Sequence, residues 1–164
     1  MLFKKKSLLK PLSFLPALFI MCSIDSFSGQ TGEDSGQLSL SVSQKIIEVG
    51  NFIFQTDLPQ EEIDHLAEII DGPVRKIAHM TEYALLAISL FIPFTLYQLK
   101  NMQRIALVIC ICISYACIDE FHQTFVNNRS GSIKDVLIDS IGVLVAVSLA
   151  QLYISSNSNR RNRT

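Results

Sequence analysis

Four long apolar segments alternate with shorter polar ones along the chain, and this pattern predicts an all-α protein. A helix needs about 20 mostly apolar residues to cross a bilayer. The four segments reach that length over about residues 8–28, 77–99, 102–123 and 136–154. The third is the least apolar, because its uninterrupted run, 105–118, must be extended with polar residues at both ends. We therefore expect an integral membrane protein whose single domain, 1–164, is a four-helix transmembrane bundle.

A soluble bundle of four hydrophobic helices is the alternative to a membrane protein. A helix that faces water carries a broad polar face, and none of the four segments has one. For the first segment alone, a signal peptide is the alternative, because lysines precede an apolar stretch. No small-x-small cleavage site follows that stretch, so we interpret the segment as a membrane span.

Residues 29–75 form the only sizeable segment between the predicted spans. The stretch 26–43 is rich in Ser, Gly, Gln and Asp, which predicts a loop. Apolar residues then recur at a helical period over 42–53 and over 63–70, which predicts two short amphipathic helices in this first outer loop. The pair Gly72-Pro73 predicts the end of the second helix. Such helices lie on the bilayer surface or cap the bundle; the alternative is a lid or a partner surface.

Charged residues are few and unevenly distributed in this chain of 164 residues, which is 49% hydrophobic and 18% charged. Most Lys and Arg flank one side of the predicted spans, whereas all fifteen Asp and Glu lie on the other side or near it. By the positive-inside rule, the N-terminus and the tail 155–164 are cytoplasmic in a multi-pass cell-membrane protein. The net charge of −1 excludes a globally basic nucleic-acid-binding protein.

The outer end of the second predicted span carries ionisable residues on one face. Arg75, His79 and Glu82 follow one another at i, i+4 and i+7, so they stack on one side of a helix. A charged group at such depth costs about 3 kcal/mol unless it is paired, and such groups are usually functional. This face is therefore a candidate functional surface.

The third predicted span ends in further polar residues on the same side of the membrane, because successive spans alternate in direction. Asp119, His122 and Gln123 share a helix face at i, i+3 and i+4, and Glu120 points about a quarter turn away. We therefore expect Asp119, Glu120, His122 and Gln123 to lie in the same outer layer as His79 and Glu82; whether His79 and His122 meet is left open by the sequence.

The fourth predicted span completes this outer polar layer. It begins with Asp135 and Asp139, again on one face, and Gly142 follows and lets another helix come close. Arg129 lies in the loop above. The candidate ligand-binding residues of the layer are Arg75, Lys76, His79, Glu82, Tyr83, Asp119, Glu120, Gln123, Arg129, Asp135 and Asp139.

The polar residues fall into motifs that together resemble a known family. The motifs are Phe27-Ser28-Gly29-Gln30, Arg75-Lys76-x-x-His79-x-x-Glu82-Tyr83, Asp119-Glu120-x-His122-Gln123 and Arg129-x-Gly131-Ser132-x-x-Asp135, with Gly142 beyond them. In this order they resemble the VanZ-like family of small polytopic bacterial membrane proteins, over about residues 12–150. The chain departs from the family pattern at Gly29, at Asn127-Asn128 and at Asp139, where the family commonly has Asn.

The resemblance implies a cell-envelope protein whose shared residues face outward. The family is named after an accessory protein of glycopeptide-resistance clusters, so a link to teicoplanin resistance is expected. The first functional hypothesis is therefore a protein that binds or protects an envelope amphiphile: a membrane lipid, a lipid-linked cell-wall precursor or a glycopeptide. Arg75, Lys76 and Arg129 would hold its phosphate or carboxylate. The structural alternative is that the arginines only neutralise carboxylates and fix the helix ends.

The second hypothesis is a membrane-embedded hydrolase or transferase that acts on a lipid-linked substrate. His79 or Glu82 would be the general base, and Asp119 or Glu120 the acid. A metal-dependent version would use His79, His122 and Asp119. Their spacing is not a recognised metal motif, so we expect neither a metal nor a cofactor. The third hypothesis is a small transporter or a structural subunit, since buried acids can relay protons.

Overall fold

The computed structural model describes residues 10–161, with side chains up to residue 156, and its regular structure is entirely helical over that range. Its five helices are α1 Leu15–Ser28, α2 Gly32–Phe54, α3 Gln60–Leu96, α4 Asn101–Gln123 and α5 Ile133–Arg161. Four helical segments are long and apolar enough to cross a membrane: Lys10–Ser28, which contains α1, and segments in α3, α4 and α5. The predicted all-α fold with four candidate spans is confirmed. The start of the first predicted span, residues 8–9, and residues 162–164 of the predicted tail lie outside the described residues.

Helix α3 is the centre of the bundle, since it packs against each of the other four helices. The core is built mainly from small and medium-sized apolar side chains: Ala17, Ile24, Tyr83, Leu86, Ala87, Leu90, Phe91, Val108, Cys112, Ala116, Val143, Ala146 and Val147. Large apolar residues such as Phe19 and Leu152 are mostly exposed on the outside of the bundle. An apolar outer surface of this kind suits contact with lipid.

Helices α3 and α5 approach each other closely at Gly142. A Cβ atom at this position would lie 2.1 Å from the backbone carbonyl oxygen of Met80, so no residue larger than glycine fits without moving a helix. The prediction that Gly142 lets another helix come close is confirmed. The contact also sets the spacing between His79, beside Met80, and Asp139, which lies three residues before Gly142.

The predicted loop over residues 26–43 is wrong, because helix α2 begins at Gly32 and continues to Phe54. Thr31 caps its first turn, where Oγ1 accepts a hydrogen bond from the Asp34 backbone N–H at 3.1 Å. The buried residues of α2 are Ser35, Ser39 and Ser43. Their spacing of four residues makes a narrow face that packs against α3. The serines that suggested a loop are therefore the packing face of a helix.

The predicted helix end at Gly72-Pro73 is also wrong, since α3 runs without interruption through both residues. Proline lacks the N–H that would bond to Ile69, but side chains bridge this turn. Nη2 of Arg75 lies 3.1 Å from Oδ2 of Asp71 and 3.1 Å from Oγ of Ser39. The second predicted amphipathic helix and the second span are therefore one helix, and its first turns form an antiparallel pair with α2.

Candidate functional site

The ends of α1 and α4 and the middle of α3 meet at one end of the bundle, which we call the polar end. At its centre, Asp119 is 2% exposed. Its Oδ2 accepts hydrogen bonds from Ser28 Oγ at 2.9 Å, from Gln123 Nε2 at 3.2 Å and from the Tyr83 hydroxyl at 3.3 Å. These bonds join three helices through one carboxylate, which makes Asp119 a structural centre of the polar end.

The loop between α4 and α5 is held over this centre by Arg129. Its Nη1 donates to Gln123 Oε1 at 3.1 Å, and its Nη2 donates to the Phe27 carbonyl oxygen at 3.1 Å. Partial burial, together with the nearby Arg75, lowers the pKa of the Arg129 guanidinium from its ordinary value. An arginine pKa starts so high that the group stays charged at neutral pH. Within the described chain, no carboxylate forms a salt bridge with Arg129.

The same loop is fixed at two further points. Oε2 of Glu120 accepts the Ser132 backbone N–H at 2.7 Å, which ties α4 to the start of α5. The Gly32 backbone N–H donates to the Asn127 carbonyl oxygen at 3.0 Å, and Asn128 Nδ2 donates to Glu33 Oε1 at 3.2 Å. The loop therefore joins the beginning of α2 to the ends of α4 and α5.

A cavity of about 330 Å³, which we call the polar cavity, opens between these helices and the loop. Its charged and amide-bearing lining residues are Asp71, Arg75, Lys76, His79, Glu120, Gln123, Asn128, Arg129, Asp135 and Asp139. Lys76 Nζ lies 3.5 Å from Asp135 Oδ1 at the exposed rim. Asp139 is 3% exposed, and among the described residues no hydrogen bond or salt bridge to its carboxylate is found. The cavity thus contains cations at its rim and an unpartnered carboxylate in its wall.

A second cavity, of about 190 Å³, adjoins the polar cavity; its surface is mainly apolar, and we call it the apolar cavity. Phe27, Leu38, Val42, Val74 and Ala78 supply its apolar wall. The two cavities share three lining residues, which are Arg75, His79 and Arg129. A polar space and an apolar space therefore meet at two guanidinium groups and an imidazole.

His79 also contacts Glu82, whose Oε2 lies 3.4 Å from its Nδ1, and Glu82 lines the apolar cavity. Asp119 and Tyr83 line neither cavity. They lie in the core behind the two cavities. There the Asp119 carboxylate accepts hydrogen bonds from the Tyr83 hydroxyl and from Ser28, and these bonds support the site. Of the four proposed acids and bases, only His79, Glu82 and Glu120 can therefore meet a ligand.

The predicted face of α4 needs a correction. Glu120 and Gln123 are buried beside Asp119, whereas His122 is exposed and lines neither cavity. The buried side of α4 follows Val108, Cys112 and Ala116 at intervals of four residues; Glu120 continues this series, and His122 lies about half a turn away. The metal set His79, His122 and Asp119 is not brought together, and over the described range no group of three His, Cys, Asp or Glu side chains can hold a metal ion.

Several residues of the site were absent from the predicted set, and three of them bond to predicted residues. Ser28 bonds to Asp119, and Asp71 and Ser39 both bond to Arg75. Ser28 belongs to the Phe27-Ser28-Gly29-Gln30 motif, so the sequence contained a signal for it. Asp71 and Ser39 lie in the segment that was divided between a loop and a short helix, which obscured their neighbourhood to Arg75.

The fold and the site together define a class: a multi-pass helical membrane protein with a charged cavity at one end of its bundle. The VanZ/LLP1 family model matches residues 13–154. Because this match covers most of the chain, the protein belongs to the VanZ/LLP1 family, and the predicted family is confirmed. No curated protein and no solved structure matches the chain.

Proposed function

We propose that this protein binds a cell-envelope amphiphile at the polar end of its bundle. The observation that carries the proposal is the pair of adjoining cavities, one polar and one apolar, that share Arg75, His79 and Arg129. An anionic group held at these residues has space for a polar head on one side and for an apolar part on the other. An amphiphile has this distribution of chemistry, whereas a small soluble anion does not use the apolar cavity.

The two arginines have the donors that such an anion needs. Arg75 uses Nη2 for Asp71 and Ser39, and its buried Nε has no hydrogen-bond partner in the part of the chain that the structure describes. Among the described residues, Arg129 donates only to an amide oxygen and a backbone carbonyl oxygen. Guanidinium groups bind phosphate and carboxylate in a bidentate manner. A phosphate or carboxylate head is therefore the ligand chemistry that this junction favours.

The cellular setting is part of the proposal. The excess of Lys and Arg at the opposite end of the spans supports cytoplasmic termini in a bacterial cell membrane, with the polar end outside. Amphiphiles available there include membrane lipids, lipid-linked cell-wall precursors and glycopeptides with an apolar tail. Binding at this surface would sequester such glycopeptides or shield the envelope from them. Either effect fits the resistance role expected from the family.

A membrane-embedded hydrolase is the second candidate function, and the contact between His79 and Glu82 favours it. A histidine oriented by a carboxylate is a common general base, and this pair lies where the two cavities meet. Asp119, however, is enclosed by its hydrogen bonds and lines neither cavity. The catalytic version therefore has to use Glu120 as its acid.

The experiment measures binding of dodecyl phosphate to the full-length protein in phosphatidylcholine nanodiscs, with empty nanodiscs subtracted. A dodecyl chain with a trimethylammonium head is the comparison ligand. We expect preference for the phosphate, and Arg75→Gln and Arg129→Gln should each lower its affinity at least tenfold, because a charged hydrogen bond contributes about 1.5–3 kcal/mol. Lys134→Gln is the matched control, since Lys134 is exposed and lines neither cavity. Equal binding of both heads, or equal losses in all three variants, would contradict the proposal.

A further inference from the structure

Helix α2 buries polar residues and exposes apolar ones, which is the reverse of the usual amphipathic helix. Its buried residues are serines, whereas four of its aliphatic residues are exposed along one side. Leu38, Val42, Ile46 and Val49 follow at intervals of three or four residues and are each about half exposed, between 45% and 56%. A helix in water normally buries such a stripe. A contiguous apolar surface of this kind marks a place where another apolar group binds.

The aliphatic stripe is continuous with the site. Leu38 and Val42 line the apolar cavity, and Val42 also belongs to a shallow, open apolar surface, here called the groove, that continues along α2 past Ile46 to Val49. The polar cavity, the apolar cavity and this shallow groove therefore follow one another. The first two are joined at the arginines and the last two at Val42.

We propose that this groove on α2 holds the alkyl chain of the amphiphile whose head occupies the polar cavity. The inference rests on the proposed function and adds the position of the chain. From Leu38 to Val49 the helix rises about 16 Å, so the groove suits an extended long-chain alkyl group. Lys45 at its edge lies 2.6 Å from Glu48, and this pairing leaves no unbalanced charge beside the chain.

An apolar helix face can also bind a second copy of the chain or a bilayer surface. The connection between the groove and the apolar cavity favours an alkyl chain over both. A second copy of the chain would cover the stripe but would have no reason to begin at the apolar cavity. A bilayer surface would contact the stripe along its length without filling that cavity. An alkyl chain anchored by its head at Arg75 and Arg129 enters the apolar cavity first and leaves it beside Val42.

The test uses dodecyl phosphate with a photoreactive diazirine at the end of its chain, bound to the full-length protein in phosphatidylcholine nanodiscs. After illumination, mass spectrometry locates the label. We expect label on α2 between residues 42 and 53, removed by excess unlabelled dodecyl phosphate and strongly reduced in Arg129→Gln. Label that competes in the same way but lies on the outer surfaces of α1 or α3 would overturn the groove and leave the proposed function intact. Absence of any competed label would contradict the proposed function itself.

A matched pair of variants provides the second measurement. Ile46→Gln removes an apolar wall of the groove, and Ile69→Gln changes an isoleucine on α3 that is exposed to 60%, against 49% for Ile46, and that lines neither cavity nor the groove. Ile46→Gln should weaken dodecyl phosphate about fivefold, half the effect of a fully buried isoleucine, while butyl phosphate, whose chain is too short to reach Ile46, is unaffected. Ile69→Gln should change neither ligand. Equal effects of the two variants, or a change of oligomeric state in Ile46→Gln alone, would overturn the groove.

Discussion

Replacing Gly142 with alanine tests the close contact between α3 and α5. The new Cβ would lie 2.1 Å from the Met80 carbonyl oxygen, which is 1.3 Å short of an ordinary contact of 3.4 Å. The obstacle is backbone rather than a flexible side chain, so α3 and α5 have to separate by about that amount. His79 and Asp139 lie beside this contact and line the polar cavity, so the cavity widens with the separation.

The magnitude follows from the cost of overpacking a well-packed interior, which is about 1–3 kcal/mol. In a chain of this size each kcal/mol corresponds to roughly 2–4 °C in the melting temperature. Because alanine is itself about 1 kcal/mol better than glycine inside a helix, the net cost is about 0–2 kcal/mol, and we expect Gly142→Ala to melt up to about 8 °C below the wild type. Binding of dodecyl phosphate should weaken as well, because the two walls of its cavity are no longer at the original spacing.

Circular dichroism of the full-length protein in a mild detergent measures the melting temperature, and Gly50→Ala is the matched control. A Cβ at Gly50 meets nothing within 4 Å, and alanine is about 1 kcal/mol better than glycine inside a helix. Gly50→Ala should therefore melt a few degrees higher than the wild type and bind normally. If Gly142→Ala were as stable as Gly50→Ala, the close approach of α3 and α5 would be refuted.

Three further predictions concern single groups of the site. Asp139→Asn removes an unpartnered carboxylate from the cavity wall, so dodecyl phosphate should bind at least about fivefold more tightly through relief of charge repulsion; unchanged affinity would place the head elsewhere. Tyr83→Phe removes one donor to Asp119 and should cost about 0.5–1.5 kcal/mol of stability, seen as a lower melting temperature with normal binding. Glu82→Gln should leave the affinity for dodecyl phosphate within about threefold of the wild type, because the partly exposed pair with His79 contributes about 1 kcal/mol or less. Normal binding combined with complete loss of protection against a glycopeptide in cells would instead favour catalysis.

Topology explains why much of the candidate site could be predicted from the sequence. Once four spans are recognised, their alternating directions bring the start of one, the end of the next and the start of the last to the same side. The structure places Arg75, Glu120, Arg129 and Asp139 around one cavity for this reason. The number of spans follows from the lengths of the apolar segments, and such lengths are the strongest signal in the sequence of a membrane protein.

The rotation of α4 was harder to predict, because several faces of that helix contain polar residues near its end. The sequence grouped His122 with Asp119 and Gln123 on one helix face, but His122 is exposed, whereas Glu120 is buried beside Asp119. The distinguishing signal is the small apolar series Val108, Cys112 and Ala116, which leads to Glu120 at the next interval of four. A helix face is defined by its packing side chains along the whole length, and the polar end alone does not show it.

Composition misled the prediction for the segment before α3. Serine and glycine are common in loops, but serine also suits a helix face that must approach another helix closely. Ser35, Ser39 and Ser43 have the helical spacing of such a face, and their role is visible only once α3 lies beside them. In the same way, Gly72-Pro73 suggested a helix end, but α3 continues through both residues, and Arg75 bonds to Asp71 across this turn.

The bonds that close the polar end have a consequence for how the protein is made. Phe27 and Ser28 bond to Arg129 and Asp119, which follow them by 102 and 91 positions. The ribosome therefore completes the first helix long before its partners exist, and contacts so distant in sequence form late. In a nascent chain Ser28 therefore has no Asp119 to bond to until α4 has been inserted, and the Phe27 carbonyl oxygen waits for Arg129 in the loop that follows α4. Closure of the polar end thus distinguishes chains that have reached Arg129 from chains interrupted before it.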